Sequence, residues 1–176
     1  MKRNAGKGVT LVEAAVVVII IAVLAGMAVP SLRGLLDRQA LRGGADELRT
    51  DLQHLRAASI ARGETLWFAT QASTAGSCYV IHSGTSGDCR CDAGGQATCT
   101  GDAQALKAVG FRADGRLQLQ STASALAFDP WRGTLTPTAT LKLIGPHGEA
   151  VHQVMNVLAR ARTCSPGGSV GGYAAC

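Results

Sequence analysis

The stretch Lys7-Gly8-Val9-Thr10-Leu11-Val12-Glu13 opens an apolar run that continues through residues 14–29 and stops at Pro30. Residues 9–29 carry one charge, Glu13. As a helix rising about 1.5 Å per residue, the run covers roughly 30 Å, the thickness of one bilayer core. An ordinary secretory signal carries its small-residue cleavage site after the apolar run, so that the run is lost. Here the small residue, Gly8, stands in front of it. A cut between Gly8 and Val9 would keep the helix and make Glu13 the fifth residue of the shortened chain. An ionised carboxylate inside such a helix costs on the order of 2.5–3.5 kcal/mol to insert, so a partner or interfacial water must offset it. Lys2, Arg3 and Lys7 precede the run. By the positive-inside rule they hold the amino end in the cytoplasm and send the rest of the chain across.

Working outward, residues 31–63 read as more helix. Leu41, Ala45, Leu48, Leu52 and Leu55 recur at spacings of three and four, an apolar stripe able to pack on a globular domain. Arg42, Arg49 and Arg56 recur every seven on another face, which reads as a solvated row paired with Asp46, Glu47 and Asp51. Pro30, Gly34 and the pair Gly43-Gly44 are points where the helix can bend. Gly63 is placed to cap its end.

Residues 64–176 carry short β-branched or alternating segments separated by turn residues: 65–70, 78–83, 106–112, 116–120, 125–128, 138–143 and 150–158. Asp114-Gly115 signals a hairpin between two of them, and Pro146-His147-Gly148 marks a second turn. Residues 83–101, rich in Gly, Ser, Thr, Asp and Cys, read as a loop ordered only by disulfides. The aromatic content of 4% beside 22 glycines fits such short strands better than a helical bundle. What remains after the N-terminal helix suffices for one domain with its own core.

Cys78, Cys89, Cys91, Cys99, Cys164 and Cys176 all follow the apolar run. In an oxidising compartment an even count implies up to three disulfides, with about fifteen full pairings. Cys164 with Cys176 is favoured, because the loop between them is Gly-rich and nothing else lies near that end; the other four are expected to pair locally. No metal is expected, since Cys89-x-Cys91 lacks the two-residue spacing and His54, His82, His147 and His152 are scattered. No cofactor is expected either. No nucleophile elbow, phosphate loop or paired-acid pattern appears, so an enzyme is not expected.

Net charge is +5, falling to about +2 without the three leading cations, too little by itself to imply a nucleic-acid partner. Its distribution says more. Residues 31–105 hold seven basic and eight acidic groups, and residues 106–176 hold seven basic and three acidic. The second half supplies any basic face.

The start of the chain resembles the class III leader of type IV pilins and type II secretion pseudopilins, with Val9 where Phe is usual. Three further segments make the chain similar to the GspH/FimT group of minor pilins and pseudopilins. They are Leu48-x3-Leu52-Gln53-x-Leu55-Arg56-x2-Ser59-Ile60-x-Arg62-Gly63, then Gly110-Phe111-x2-Asp114-Gly115-Arg116, then residues 158–164, Leu-Ala-Arg-Ala-Arg-Thr-Cys.

The resemblance implies an α+β, type IV pilin-like fold: a long N-terminal helix, membrane-spanning in its first half, packed on a small antiparallel β-sheet head with disulfides. It divides the chain into a leader at 1–8, an assembly helix at 9–30, an amphipathic continuation at 31–63 and a β-rich periplasmic head at 64–176. Prepilin peptidase would cut after Gly8 and methylate Val9, and Glu13 would meet a free amino terminus during filament assembly. The partners implied are other pilins or pseudopilins through their N-terminal helices, the peptidase and the inner membrane. DNA-binding members of the group carry Gly-Arg-x-Arg near the end. Here Ala159 replaces the Gly while Arg160 and Arg162 keep the arginine positions.

Two apart on a strand, Arg160 and Arg162 share a side and reach one phosphate track without sequence preference. Lys142, Arg132 and Arg116 are candidates to extend it. The same arginines also read as a solvated strand face. The resemblance leaves open a type IV pilus or a type II secretion machine, with a simple single-pass anchored domain as the remoter alternative.

Overall fold

The computed structural model describes residues 10–176, except for the side chains at 27–31 and 33. Gly8 and Val9, and the side chain of Pro30, lie outside the described residues. The chain divides into two compact units, Met1–Leu36 and Asp37–Cys176.

Helix α1 runs Leu11–Arg62, and its assignment is unbroken through position 30 and through Gly43-Gly44. At its start the Thr10 hydroxyl accepts a hydrogen bond from the Glu13 N–H at 3.3 Å, capping the first turn. The Thr-x-x-Glu spacing is that of a capping box. Residues 11–26 expose their apolar side chains on every side, Leu11 at 85% and Ile20 at 53%. Among the described residues no helix is long and apolar enough to cross a membrane.

In the second unit the stripe Leu41, Ala45, Leu48, Leu52 and Leu55 is buried. It packs in one core with residues of two antiparallel sheets. The first sheet has the order β5-β2-β1-β7-β8, built from β1 (Leu66–Ser73), β2 (Gly76–His82), β5 (Ala105–Arg112), β7 (Ala125–Asp129) and β8 (Thr134–Thr136). The second has the order β11-β10-β9-β6, built from β6 (Gln118–Ser121), β9 (Ala139–Ile144), β10 (Ala150–Met155) and β11 (Ala161–Cys164). Strands β3 (Cys89–Cys91) and β4 (Ala97–Cys99) form a separate ribbon. A short 3-10 turn, Pro166–Gly168, follows β11.

Period-2 alternation decides what each sheet shows to the helix. In β2, Tyr79 and Ile81 join the helix-side core, and the Tyr79 ring stacks on Phe68 at 4.9 Å. Val80 instead joins Ala69 and Cys89 in a second cluster under the ribbon. Ser59 stays buried within α1 because its hydroxyl donates to Glu64 O at 2.7 Å and Phe128 O at 3.3 Å. Gly63, at φ +64°, ends the helix in the left-handed conformation that glycine adopts without cost.

Several sequence expectations are corrected. Residues 83–101 contain the ribbon as well as loop, since Cys89 and Cys91 pair in register with Cys99 and Ala97. Asp114-Gly115 turns the chain between two sheets: β5 pairs with β2, and β6 pairs with β9. Residues 150–158 split into β10 and a turn, with β11 returning beside it. Gly44 is a close-approach point, where an added Cβ would meet Leu117 Cδ1 at 2.8 Å and Leu143 Cδ2 at 2.9 Å. Among the described residues the arginine row makes no ion pair with Asp46, Glu47 or Asp51. The cysteines form Cys78–Cys91, Cys89–Cys99 and Cys164–Cys176 disulfides.

Candidate functional site

The side chain of Gln153 points at the helix, donating to Ala45 O at 3.2 Å, and Val151 and Met155 share its face. The alternate residues of the second sheet therefore face away: His152 and Val154 on β10, Lys142 on β9 opposite His152, and Arg162 on β11 opposite Val154. Arg160, with the parity of Arg162, precedes the strand. This outer face gathers Lys142, Arg160 and Arg162. None of the three has a carboxylate partner among the described residues. Burial, and then the nearby Lys142 charge, lower the pKa of His152, which keeps it neutral at neutral pH.

Arg160 is delivered by a turn in which Asn156 N–H donates to Arg160 O at 3.2 Å and Ala159 N–H to Asn156 O at 2.9 Å. The Asn156 Oδ1 accepts from the Arg160 N–H at 2.9 Å. Ala159 has φ +59°, so the turn keeps a glycine-type backbone with an alanine, at a cost of about 1 kcal/mol. Arg162 donates to Ala175 O at 3.4 Å.

The remaining candidates lie elsewhere. Arg116 pairs with Asp37 at 3.5 Å, and Arg132 stands 4.0 Å from Asp129 in its own turn. Glu13 sits in the first turn of α1, exposed. Among the described residues no grouping of three His, Cys, Asp or Glu is placed to hold a metal ion.

A second charged constellation clamps the helix to the first sheet. Lys107 on β5 donates to Asp51 at 2.7 Å and to Glu47 at 3.0 Å, and the Tyr79 hydroxyl donates to Asp51. Two of the three acids expected to serve the arginine row, Glu47 and Asp51, are thus taken by a lysine. Arg42 instead donates to Gly171 O at 2.7 Å, tying the C-terminal segment to α1. No sequence signal finds this clamp, since Lys107 is 56 residues from Asp51. The Thr10 cap is legible in the Thr-x-x-Glu spacing.

Burial, then the bond to Asp51, push the Tyr79 pKa far up. Burial pulls Lys107 down, but its bonds to Asp51 and Glu47 outweigh that and raise it. Both groups hold their protons more tightly folded than unfolded. Their contribution is complete below about pH 10 and is lost as pH rises through the folded values. Thermal unfolding followed from pH 8 to 11 is expected to show a falling Tm above about pH 10, and Tyr79→Phe is expected to flatten that fall.

Residues 44–159, well over half of the chain, match the family model described as "Type II transport protein GspH". Neither the comparison with curated proteins nor that with solved structures gives a match.

Proposed function

The chain belongs to the GspH family, and from that premise we propose that it works by assembly, as a non-enzymatic minor subunit of a type IV filament machine whose outer sheet face binds DNA. Membership of the family makes it a pilin or pseudopilin component that associates with others of its kind. The family match carries this reading.

Prepilin peptidase cuts after Gly8 and methylates Val9. The helix at 9–30 then anchors the subunit in the inner membrane, amino end cytoplasmic and head periplasmic. Two features support that placement: the lone charge in the apolar run, and the all-round exposure of residues 11–26, a surface that water does not favour and that lipid or neighbouring helices would cover. Glu13 sets register against a neighbouring subunit. Glu13→Ala is expected to leave processing and insertion intact and to reduce incorporation into filaments, measured by the subunit's share of sheared filament protein. Normal incorporation would remove the register role.

Lys142, Arg160 and Arg162, on one face without carboxylate partners, favour a polyanion. Purified chain is expected to bind duplex DNA at low salt without sequence preference. The Arg160→Ala, Arg162→Ala double variant is expected to reduce the slope of log K against log salt by about 2. Absence of binding at low salt would remove the DNA role and leave a structural subunit, either a priming pilin of a type IV pilus or the type II secretion pseudopilin to which the family's own description points.

A further inference from the structure

We propose that the outer edge of β11 is a docking site for an extended acidic segment of another protein, which adds as a strand beside Ala161 and Thr163. This inference stands on the edge geometry and needs neither the DNA role nor the choice of machine.

Strand β11 has one neighbour, β10. Asn156 N–H donates to Arg160 O, so the pair 156/160 is hydrogen-bonded inward. Antiparallel pairs alternate, and Arg162, opposite Val154, is therefore also bonded inward. Ala161 and Thr163 then turn both their N–H and C=O groups outward, where no strand meets them among the described residues. Ser165, next in the same parity, shows what that edge does. Its N–H donates to Ala174 O at 2.9 Å and its carbonyl accepts from Cys176 N–H at 3.2 Å, a parallel bridge made by the chain's own terminal residues. The chain thus already docks an extended segment at one end of this edge. That bridge is isolated, and upstream of it Gly171 is held by Arg42 on the helix.

Beneath the free part of the edge lies a groove of about 350 Å³ between α1 and the turn before β11. Leu52 and Met155 line it with Ala159 and Ala161, Arg160 borders it, and Arg56 supplies the charge on the helix side. Arg56 has no carboxylate partner among the described residues. An added strand places alternate side chains into this groove and onto the outer face beside Arg162. One side asks for an apolar side chain with a carboxylate within reach of Arg56, and the other asks for acids. A nucleic acid offers no backbone pattern to match a strand edge, whereas a peptide does.

The test uses the full chain and a blocked peptide of alternating leucine and glutamate. Hydrogen exchange at the Ala161 and Thr163 amides is expected to slow about ten-fold or more at saturating peptide. Ala161→Pro removes an outward N–H and no inward bond, as edge positions tolerate. That variant and Arg56→Ala are each expected to weaken the peptide about five-fold or more. Arg56→Ala lies off the outer face and is expected to leave DNA binding unchanged, which separates the two activities. Should Ala161→Pro fail to fold, the exchange result and Arg56→Ala decide. Binding without protection of these two amides overturns the proposal, as does equal binding of the lysine counterpart peptide. Protection of both amides by duplex DNA in place of the peptide overturns it as well.

Discussion

Lys107→Met is expected to lower folding stability by about 2–3 kcal/mol, measured by denaturant unfolding at neutral pH. The Asp51 side chain is only 8% exposed, and Lys107 is the cation that meets it. Removing one partner of a buried pair costs about 3–5 kcal/mol, because the other charge stays buried and unpaired. Two circumstances reduce that here. The lysine is 36% exposed, so water reaches its place, and the Tyr79 hydroxyl still donates to the carboxylate. Tyr79→Phe alone removes one bond to a charged acceptor and is expected to cost about 1.5–3 kcal/mol. The double variant is expected to depart from additivity, since both groups serve one carboxylate. A loss below about 1 kcal/mol for Lys107→Met would mean that Asp51 is hydrated and that the clamp contributes little.

Gly110→Ala is expected to cost about 3 kcal/mol or more, with the ribbon β3–β4 displaced. An added Cβ at Gly110 would overlap Gly95 N and Ala93 O, both backbone atoms of the turn between β3 and β4. Gly110 sits opposite Cys78 on β2, and Cys78 is bonded to Cys91 on the ribbon. The ribbon is therefore tied down where the new methyl would push it off, and overpacking of that kind has no flexible side chain to absorb it. Gly44→Ala makes the comparison. Its Cβ would meet only the ends of Leu117 and Leu143, and alanine gains about 1 kcal/mol over glycine in a helix. Gly44→Ala is expected to stay within about 1 kcal/mol of wild type. Calorimetry on both, with near-ultraviolet circular dichroism for the disulfides, checks the contrast.

The difference between what was readable and what was not follows the range of the interactions. The stripe from Leu41 to Leu55 declares its buried face within its own helix, since a spacing of three and four needs no partner to be recognised. The Gly63 cap and the β9–β10 turn at Pro146-His147-Gly148 are equally local. Asp114-Gly115 misled because a turn dipeptide fixes a reversal of the chain and says nothing of which strands then pair; β5 and β6 join different sheets. The ribbon was hidden because three-residue strands carry too few alternations to separate from loop. Its order comes from two cross-links and from the bare backbone at Gly110. The outer-face positions of Arg162 and Lys142 follow from period-2 parity and so were legible. The fate of Arg42, Asp51 and Glu47 was not, because their partners at Gly171 and Lys107 are distant in sequence.

Six thiols must give up their electrons before this head can close. Two of the three cross-links bind the ribbon, and the third pins the terminal residues against Ser165. Closing the three cross-links therefore needs an electron acceptor. A chain kept reduced lacks the covalent ties that hold the ribbon over the Val80 cluster and the terminal residues at the Ser165 edge.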